Sequence, residues 1–227
     1  MGRVCTVVVR WSPQQPVRLL ALRDELTSRD FDEPGPWWPD RPDVVGGRDR
    51  TAGGTWCASH VPSGATALVL NRPQKRVADP GAPSRGVLPL LAVEQGTDWP
   101  GSLVLQRMAS FALVLATPDV LRLWVFDGES LTSADLGEGT HMVTSGFAED
   151  GKVDRYLPSF RAHDDWRAIV RGETPQDDPA ALVVRHVAED KTFATVFGQL
   201  VESAPGRLHL QHSRTPWTDD PWRTQVW

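Results

Sequence analysis

The sequence is poor in cysteine, has no long apolar run and shows no excess of positive charge. Its 227 residues include two cysteines, Cys5 and Cys57, which are too few for a disulfide framework and lie in no spacing typical of a zinc site. We therefore expect a reducing, cytoplasmic compartment and no metal site. No stretch approaches the roughly 18 apolar residues of a membrane-spanning helix, so no membrane span is predicted. The formal net charge of −5 argues against a nucleic-acid-binding surface.

The composition is that of a folded protein. Hydrophobic residues make up 40% of the chain and charged residues 23%, which fits one large domain or two small ones, and we favour a single domain over residues 1–227. The basic segment at residues 72–76 is typical of a solvated loop. Nothing in the composition indicates an oligomeric state.

The first thirty residues predict a hairpin with a thiol at its base. Residues 3–11 are strand-like, residues 12–16 contain two prolines that break the strand, and residues 17–23 form its partner. This pairing would bring Arg23 or Asp24 back beside Cys5. A cysteine so close to the amino terminus is a candidate N-terminal nucleophile, activated by its own α-amine.

The rest of the chain predicts a strand-rich protein with a few helices. Four prolines and two tryptophans make residues 32–43 an extended loop. Ser84 is a candidate N-cap for a short helix through residues 88–93. Strands are predicted at residues 44–47, 54–59, 65–71, 111–116, 121–126, 141–144, 181–187, 192–201 and 207–211, and a late helix is predicted within residues 157–171.

Five short motifs, in this order, carry a family resemblance: Cys5-Thr6, Arg23-Asp24-Glu25, Gly53-Gly54-Thr55-Trp56, Leu70-Asn71-Arg72 and Ser84-Arg85-Gly86. Together they resemble the NRDE family, also called the transport and Golgi organisation protein 2 family, most strongly up to about residue 91. The family's Asn-Arg-Asp-Glu motif begins here with Leu22, and its Ser-Asn appears as Ser145-Gly146. The resemblance implies an α+β fold: an N-terminal-nucleophile hydrolase-like αββα sandwich with mostly antiparallel sheets.

The same resemblance implies a catalytic set. Cys5 would attack an amide or thioester carbonyl of a small substrate and form an acyl-enzyme, with its α-amine as the base. Arg23 could lower the thiol pKa or hold a substrate carboxylate or phosphate, and Asp24 could orient the α-ammonium. Asn71 could donate to the oxyanion. Gly53 and the following Gly54-Thr55-Trp56 would border the ligand.

Each of these residues also has a structural interpretation that the sequence leaves open. Cys5 could be a buried strand thiol, since free cysteine is among the most buried residue types. Residues 23–25 could form a charged turn, and Asn71 could be a turn residue before Pro73. Gly53 and Gly54 could form a bulge or turn.

The catalytic interpretation requires Cys5 to be the first residue of the mature chain, because only then is its α-amine free. Two routes would achieve this: self-cleavage between Val4 and Cys5, or translation that starts at Val4 from a GTG codon and is followed by removal of the initiator methionine. We prefer the second route.

The alternative function is binding without turnover. Members of the family are linked to haem trafficking, to acyl-CoA or lipid metabolism and, in animals, to Golgi organisation. On this hypothesis a groove bordered by Trp37 and Trp38 would hold haem or an acyl-CoA, and Arg23, Arg72 and Arg85 would pair with carboxylates or phosphates. His141 would be a haem ligand or proton relay. No cofactor is required on either hypothesis, and haem is a candidate ligand.

Overall fold

The computed structural model describes residues 5–72, 78–146 and 151–227. The predicted strand start at residues 3–4, the break at Pro73 and most of the basic segment 72–76 lie outside the described residues. The described strands are β1 (Thr6–Trp11), β2 (Val17–Leu26), β3 (Phe31–Gly35), β4 (Val44–Asp49), β5 (Cys57–His60), β6 (Ala65–Asn71), β7 (Phe111–Ala116), β8 (Leu121–Phe126), β9 (Leu131–Asp135), β10 (Gly139–Thr144), β11 (Arg185–Ala188), β12 (Lys191–Ala204), β13 (Arg207–Ser213) and β14 (Arg223–Val226). The α-helices are α1 (Leu88–Gln95), α2 (Lys152–Ala162) and α3 (Trp166–Arg171).

The first sheet contains the amino-terminal hairpin. Its strand order is β10-β1-β2-β12-β13-β14, with β11 also paired to β12, and every pairing between its strands is antiparallel. In β1 and β2, Val8 pairs with Leu20 and Thr6 with Leu22, so the predicted hairpin is confirmed. At the base of the hairpin the main chain of Asp24 lies beside Cys5.

The second sheet is a meander of neighbouring strands in the order β3-β4-β5-β6-β7-β8-β9, again antiparallel throughout. The predicted hairpin of residues 111–116 and 121–126 is confirmed as β7 and β8. The short loop between β7 and β8 explains why this hairpin could be predicted from the sequence.

Three apolar clusters show how the sheets and helices are layered. One cluster joins the two sheets face to face and includes Val9 and Leu19 from the first sheet and Val114 from the second. A second cluster packs α1 on the outer face of the second sheet, and a third packs α2 and α3 on the outer face of the first. The described chain is therefore an α+β protein in which two stacked, mostly antiparallel sheets lie between helices.

Several predicted elements need correction. The proline-rich stretch 32–43 is not entirely loop, because β3 (Phe31–Gly35) occupies its start. β3 is an edge strand with a register shift between Asp32 and Gly35, which is where a sheet tolerates a proline such as Pro34. The strand predicted at 181–187 is confined to β11, and the one predicted at 54–59 begins only at Cys57. The single late helix predicted within residues 157–171 is two helices, α3 and the end of α2, and α2 begins earlier, at Lys152. The strands β9 and β14 were not predicted.

The helix at residues 88–93 is confirmed, but Ser84 caps the 3-10 turn before it, and α1 itself follows Val87 without a side-chain cap. Ser84 accepts a hydrogen bond from the Gly86 amide at 3.2 Å, a short 3-10 turn (Arg85–Val87) follows, and α1 continues from Leu88. None of the helices in the described part of the chain is long and apolar enough to cross a membrane.

Candidate functional site

A cavity of about 200 Å³ lies where the start of β1 and the end of β2 face the second sheet. It is lined by residues from both sheets and from the turn before α1: Cys5, Arg23, Asp24, Glu25, Leu26, Arg29, Asp49, Ala52, Thr55, Trp56, Val69, Asn71, Ser84, Arg85 and Gly86. All four predicted catalytic residues are in this set. Each of the five sequence motifs therefore contributes at least one residue to the cavity.

The Cys5 thiol is held by the main chain of Asp24. Sγ donates to the Asp24 carbonyl oxygen and accepts from the Asp24 amide, each at 3.4 Å. The Cys5 carbonyl accepts from the Ser145 amide at 3.0 Å. Burial, with a further contribution from the negative charge of Asp24, raises the pKa of the thiol to about 11, so it is protonated at neutral pH in a chain that carries residues before it.

Arg23 forms the floor of the cavity. Only 6% of it is exposed, and its guanidinium lies 4.6 Å from the Trp56 ring centroid and 5.0 Å from that of Phe31. Nη2 donates to Asp49 at 3.1 Å. The Nη1 atom is buried and has no hydrogen-bond partner among the described residues.

Asp49 ties two arginines to the cavity wall. Arg29 donates to it through Nε at 2.6 Å and through Nη2 at 3.1 Å, and the Ala52 amide donates to Oδ1 at 2.9 Å. Burial alone would raise the pKa of Asp49, but these hydrogen bonds and the charges of Arg29 and Arg23 hold it below its ordinary value. Asp49 is thus an ionised anchor that fixes Arg23.

The side chain of Asp24 points to the other face of the first sheet. Leu22, two residues earlier, packs in the outer cluster with α2 and α3, and side chains alternate along a strand. The Asp24 carboxyl is 3% exposed and accepts from Thr195 Oγ1 at 2.6 Å. Burial raises the pKa of Asp24 to about 7, while the charge of Lys152 and the Thr195 hydrogen bond oppose that rise.

The remaining cavity wall comes from the second sheet and the turn before α1. Asn71 lies at the end of β6 and is half-buried. Arg85 is oriented by a hydrogen bond from Nη1 to the Ser110 carbonyl at 2.8 Å. Thr55 is buried, and its hydroxyl bonds to the Cys57 main chain.

Four predicted ligand-binding residues do not line the cavity. Gly53 and Gly54 form the turn behind its wall, where the Gly53 amide donates to the Asp49 carbonyl at 2.8 Å and the Asp49 amide to the Gly54 carbonyl at 2.9 Å. Arg72 follows Asn71 just outside. His141 lies on β10, opposite Val9, and its Nε2 is 2.7 Å from the Gly137 carbonyl oxygen.

The two loop tryptophans also lie away from the cavity. Trp38 is buried in the cluster beneath α1 and donates to the Gly53 carbonyl at 3.0 Å. Trp37 is exposed, donates to the Glu33 carbonyl at 2.8 Å and lies beside Arg48. Neither tryptophan borders the cavity, although the groove hypothesis required it.

Sequence reasoning missed the residues that support Cys5 and Asp24 from elsewhere in the chain. Lys152 and Thr195 contact this region from α2 and β12, and Asp49 does so from the end of β4. Of these three residues, only Asp49 could have been singled out from the sequence. Its carboxylate accepts from the amides of Thr51 and Ala52, and such a turn is typical of Asp. Among the described residues, no cluster of three His, Cys, Asp or Glu side chains could hold a metal ion.

The cavity wall depends on a close approach between two glycines. A Cβ added at Gly54 would lie 2.5 Å from the Gly86 carbonyl carbon, and the Thr55 amide donates to the Gly86 oxygen at 2.9 Å. We expect Gly54→Ala to lower the free energy of unfolding by about 1–3 kcal/mol, measured by urea denaturation, because backbone must move to relieve the overlap.

Gly101→Ala is the matched control, since a Cβ there meets nothing within 4 Å; its effect should stay within about 0.5 kcal/mol. Equal effects of the two substitutions would contradict the close-packing argument.

The family model described as Transport and Golgi organisation 2 matches residues 4–204 of the chain. The match includes every residue that lines the cavity, as well as Lys152 and Thr195. No curated protein matches the chain significantly.

Proposed function

The chain belongs to the Transport and Golgi organisation 2 family, as its motifs indicated, and we propose that it is a hydrolase of the N-terminal-nucleophile type. In this proposal Cys5 attacks the carbonyl of a small amide or thioester. One observation carries it: Asp24 holds the Cys5 thiol with two hydrogen bonds at a cavity that also contains Arg23 and Asn71.

The architecture supports this class. The family resemblance implies an N-terminal-nucleophile hydrolase fold, and the observed layers of helix, sheet, sheet and helix are those of an αββα sandwich. The proposed nucleophile immediately precedes β1, an interior strand of its sheet. A rigid strand start is a suitable place for a reacting group, because the neighbouring strands limit its motion.

The proposed reaction has two halves. The α-amine of Cys5 takes the thiol proton, Sγ bonds to the carbonyl carbon, and the carbonyl oxygen becomes an oxyanion to which Asn71 donates. The tetrahedral species collapses as the C–N or C–S bond breaks, and the proton passes from the α-ammonium to the leaving amine or thiolate. Water then attacks the acyl-enzyme, the Sγ–C bond breaks, and a carboxylic acid leaves.

The thiol pKa explains why such a base is needed. At a pKa of about 11, roughly one thiol in ten thousand is ionised at pH 7. A neutral amine on the same residue could accept the proton during attack. Without that amine, the site as described holds an unreactive thiol.

The size and charge of the cavity favour a small polar substrate. Its volume of about 200 Å³ is below the roughly 300–1,000 Å³ of sites for drug-sized ligands. Arg23 and Arg85 line the cavity and give it positive charge, which favours a carbonyl or carboxylate on the substrate. A short acyl group with a polar or anionic substituent fits both features.

Binding of haem or an acyl-CoA, the other function implied by the family, draws less support from this cavity. His141 is outside it, and no histidine is among the described residues that line it. A haem titration followed at the Soret band tests that alternative directly, with Cys5→Ala as the control for thiolate ligation.

The test of hydrolysis is detection of the acyl-enzyme. A chain that begins at Cys5 is incubated with acetyl, butyryl and succinyl thioesters of N-acetylcysteamine and with the corresponding p-nitroanilides, quenched in acid and analysed by intact mass. We expect one acyl group, located on Cys5 by peptide mapping, and none in Cys5→Ala. Cys57→Ala should still acylate, because Cys57 is buried between the sheets. A folded protein that acquires no acyl group from any donor would refute the proposal for these substrate classes.

A further inference from the structure

Lys152 is a buried cation on the far side of the sheet from the cavity. It is the first residue of α2, its exposed fraction is 0%, and its Nζ donates to Thr6 Oγ1 at 3.3 Å. Lysine is almost never fully buried unless its charge is compensated. The buried ammonium bonds to Thr6, the residue that follows Cys5, so its burial places a charge close to the thiol.

Asp24 carries a carboxyl on which the charge of Lys152 acts. Its carboxyl is buried on the same face of the first sheet, and Oδ1 accepts from Thr195 while Oδ2 has no hydrogen-bond partner among the described residues. The positive charge of Lys152 acts on this carboxyl and favours its ionised form. Lys152 thus interacts with both segments that fix the thiol: Thr6, next to Cys5, and Asp24, whose main chain holds Sγ.

The other charges near Asp24 are occupied with one another. Arg23 and Glu25 flank it on β2, and their side chains join Arg29 and Asp49 in one network on the cavity side, with Arg23 and Arg29 both bonded to Asp49. On the outer face, Thr195 comes from β12 and Lys152 from α2, and Cys5 faces Asp24 from the start of β1. Within this set, Lys152 is the cation whose charge stabilises the Asp24 carboxylate.

We propose that Lys152 is a positioning residue of the Cys5 site: its hydrogen bond fixes Thr6 beside Cys5, and its charge acts on the buried carboxyl of Asp24, whose main chain holds the thiol. Its consequence for turnover depends on the proposed hydrolase function. Its effect on the thiol does not, because the contacts exist without any substrate.

The first test measures the thiol itself. The rate of Cys5 alkylation by iodoacetamide is followed by intact mass between pH 5 and 9 in the full chain. As Asp24 ionises, its negative charge makes the thiol less acidic, so the wild-type rate should rise less steeply around pH 7. In Lys152→Met this inflexion in the curve of rate against pH should move to a pH about one unit higher or more, because the positive charge that favours ionisation of Asp24 is gone.

Two further variants make the test specific. Asp24→Asn should abolish the inflexion, and Asp24→Asn with Lys152→Met should show the same profile as Asp24→Asn alone. A Lys152→Met inflexion within 0.3 pH units of wild type, a margin of about twofold in the ionisation constant, would overturn the proposal.

Stability provides a second measurement if a single variant folds poorly. Asp24→Asn removes a carboxyl on which the Lys152 charge acts while the ammonium stays buried, so the double variant should be more stable than Asp24→Asn in urea denaturation. A double variant that is less stable than Asp24→Asn would also count against the pairing.

Turnover separates this proposal from the hydrolase proposal. In a chain beginning at Cys5, Lys152→Met should lower kcat for the best thioester by about 10- to 100-fold, because a misplaced nucleophile loses alignment, with KM changed less than about threefold. An unchanged kcat would overturn the positioning role in catalysis. An absence of turnover in wild type together with the shifted alkylation profile would refute the hydrolase and leave the positioning of the thiol supported.

Discussion

A chain that begins at Cys5 is expected to form its acyl-enzyme about 10²- to 10⁴-fold faster than a chain that carries residues 1–4, because a positioned general base contributes a factor of that size. In the longer chain the nitrogen of Cys5 is an amide and cannot accept a proton. The thiol then retains its pKa of about 11, and attack must wait for the rare thiolate.

The comparison is made with two proteins released from the same cleavable fusion, one starting at Gly2 and one at Cys5. Burst-phase acylation by a butyryl thioester is measured at pH 7 for both. Cys5→Ser with the same start is the matched control, because it keeps the amine and replaces the thiol by a weaker nucleophile.

Two results would contradict this prediction. Equal acylation rates for the two starts would show that the α-amine is not the base. Faster acylation of the longer chain would show that the preceding residues assist the thiol instead of blocking its activation.

The second large effect concerns stability and pH. The folded protein holds Asp24 at a pKa of about 7, against an ordinary value of 3.8. Between these values the folded state keeps a proton that the unfolded state releases, so this carboxyl makes the protein less stable as the pH rises. The slope is at most about 1.4 kcal/mol per pH unit for one proton, which amounts to roughly 4 kcal/mol over the three units.

Asp24→Asn should remove that dependence. Its stability relative to wild type should therefore improve from pH 4 to pH 7. Urea denaturation at four pH values gives the comparison, and the contributions of the other carboxyls cancel in the difference.

Asp135 is the matched control. It is exposed, and the hydrogen bond and charge of Arg122 hold its pKa below the ordinary value, so its contribution has the opposite sign and is lost as the pH falls. The free energy of unfolding of Asp135→Asn relative to wild type should consequently fall as the pH rises. Parallel pH curves for wild type and Asp24→Asn would show that the Asp24 carboxyl titrates alike in the folded and unfolded chains.

The sequence by itself determined the local parts of this protein. It placed the β1–β2 hairpin, the Ser84 cap and the β7–β8 hairpin, because each depends on residues close together in the chain. The hairpin in turn predicted that Asp24 would return to Cys5, which its two hydrogen bonds to Sγ confirm. The ordered motifs identified the family.

Only the tertiary structure decided what surrounds the thiol. Lys152 reaches Thr6 across 146 residues and Thr195 reaches Asp24 across 171, and both contacts depend on how α2 and β12 meet the first sheet. Hydrophobic periodicity specifies which face of an element is buried but not which polar side chain meets it there. The same limit explains why His141, although correctly placed on a strand, lies outside the cavity: β10 pairs with β1, and a residue's place along that pairing is fixed by the sheet as a whole.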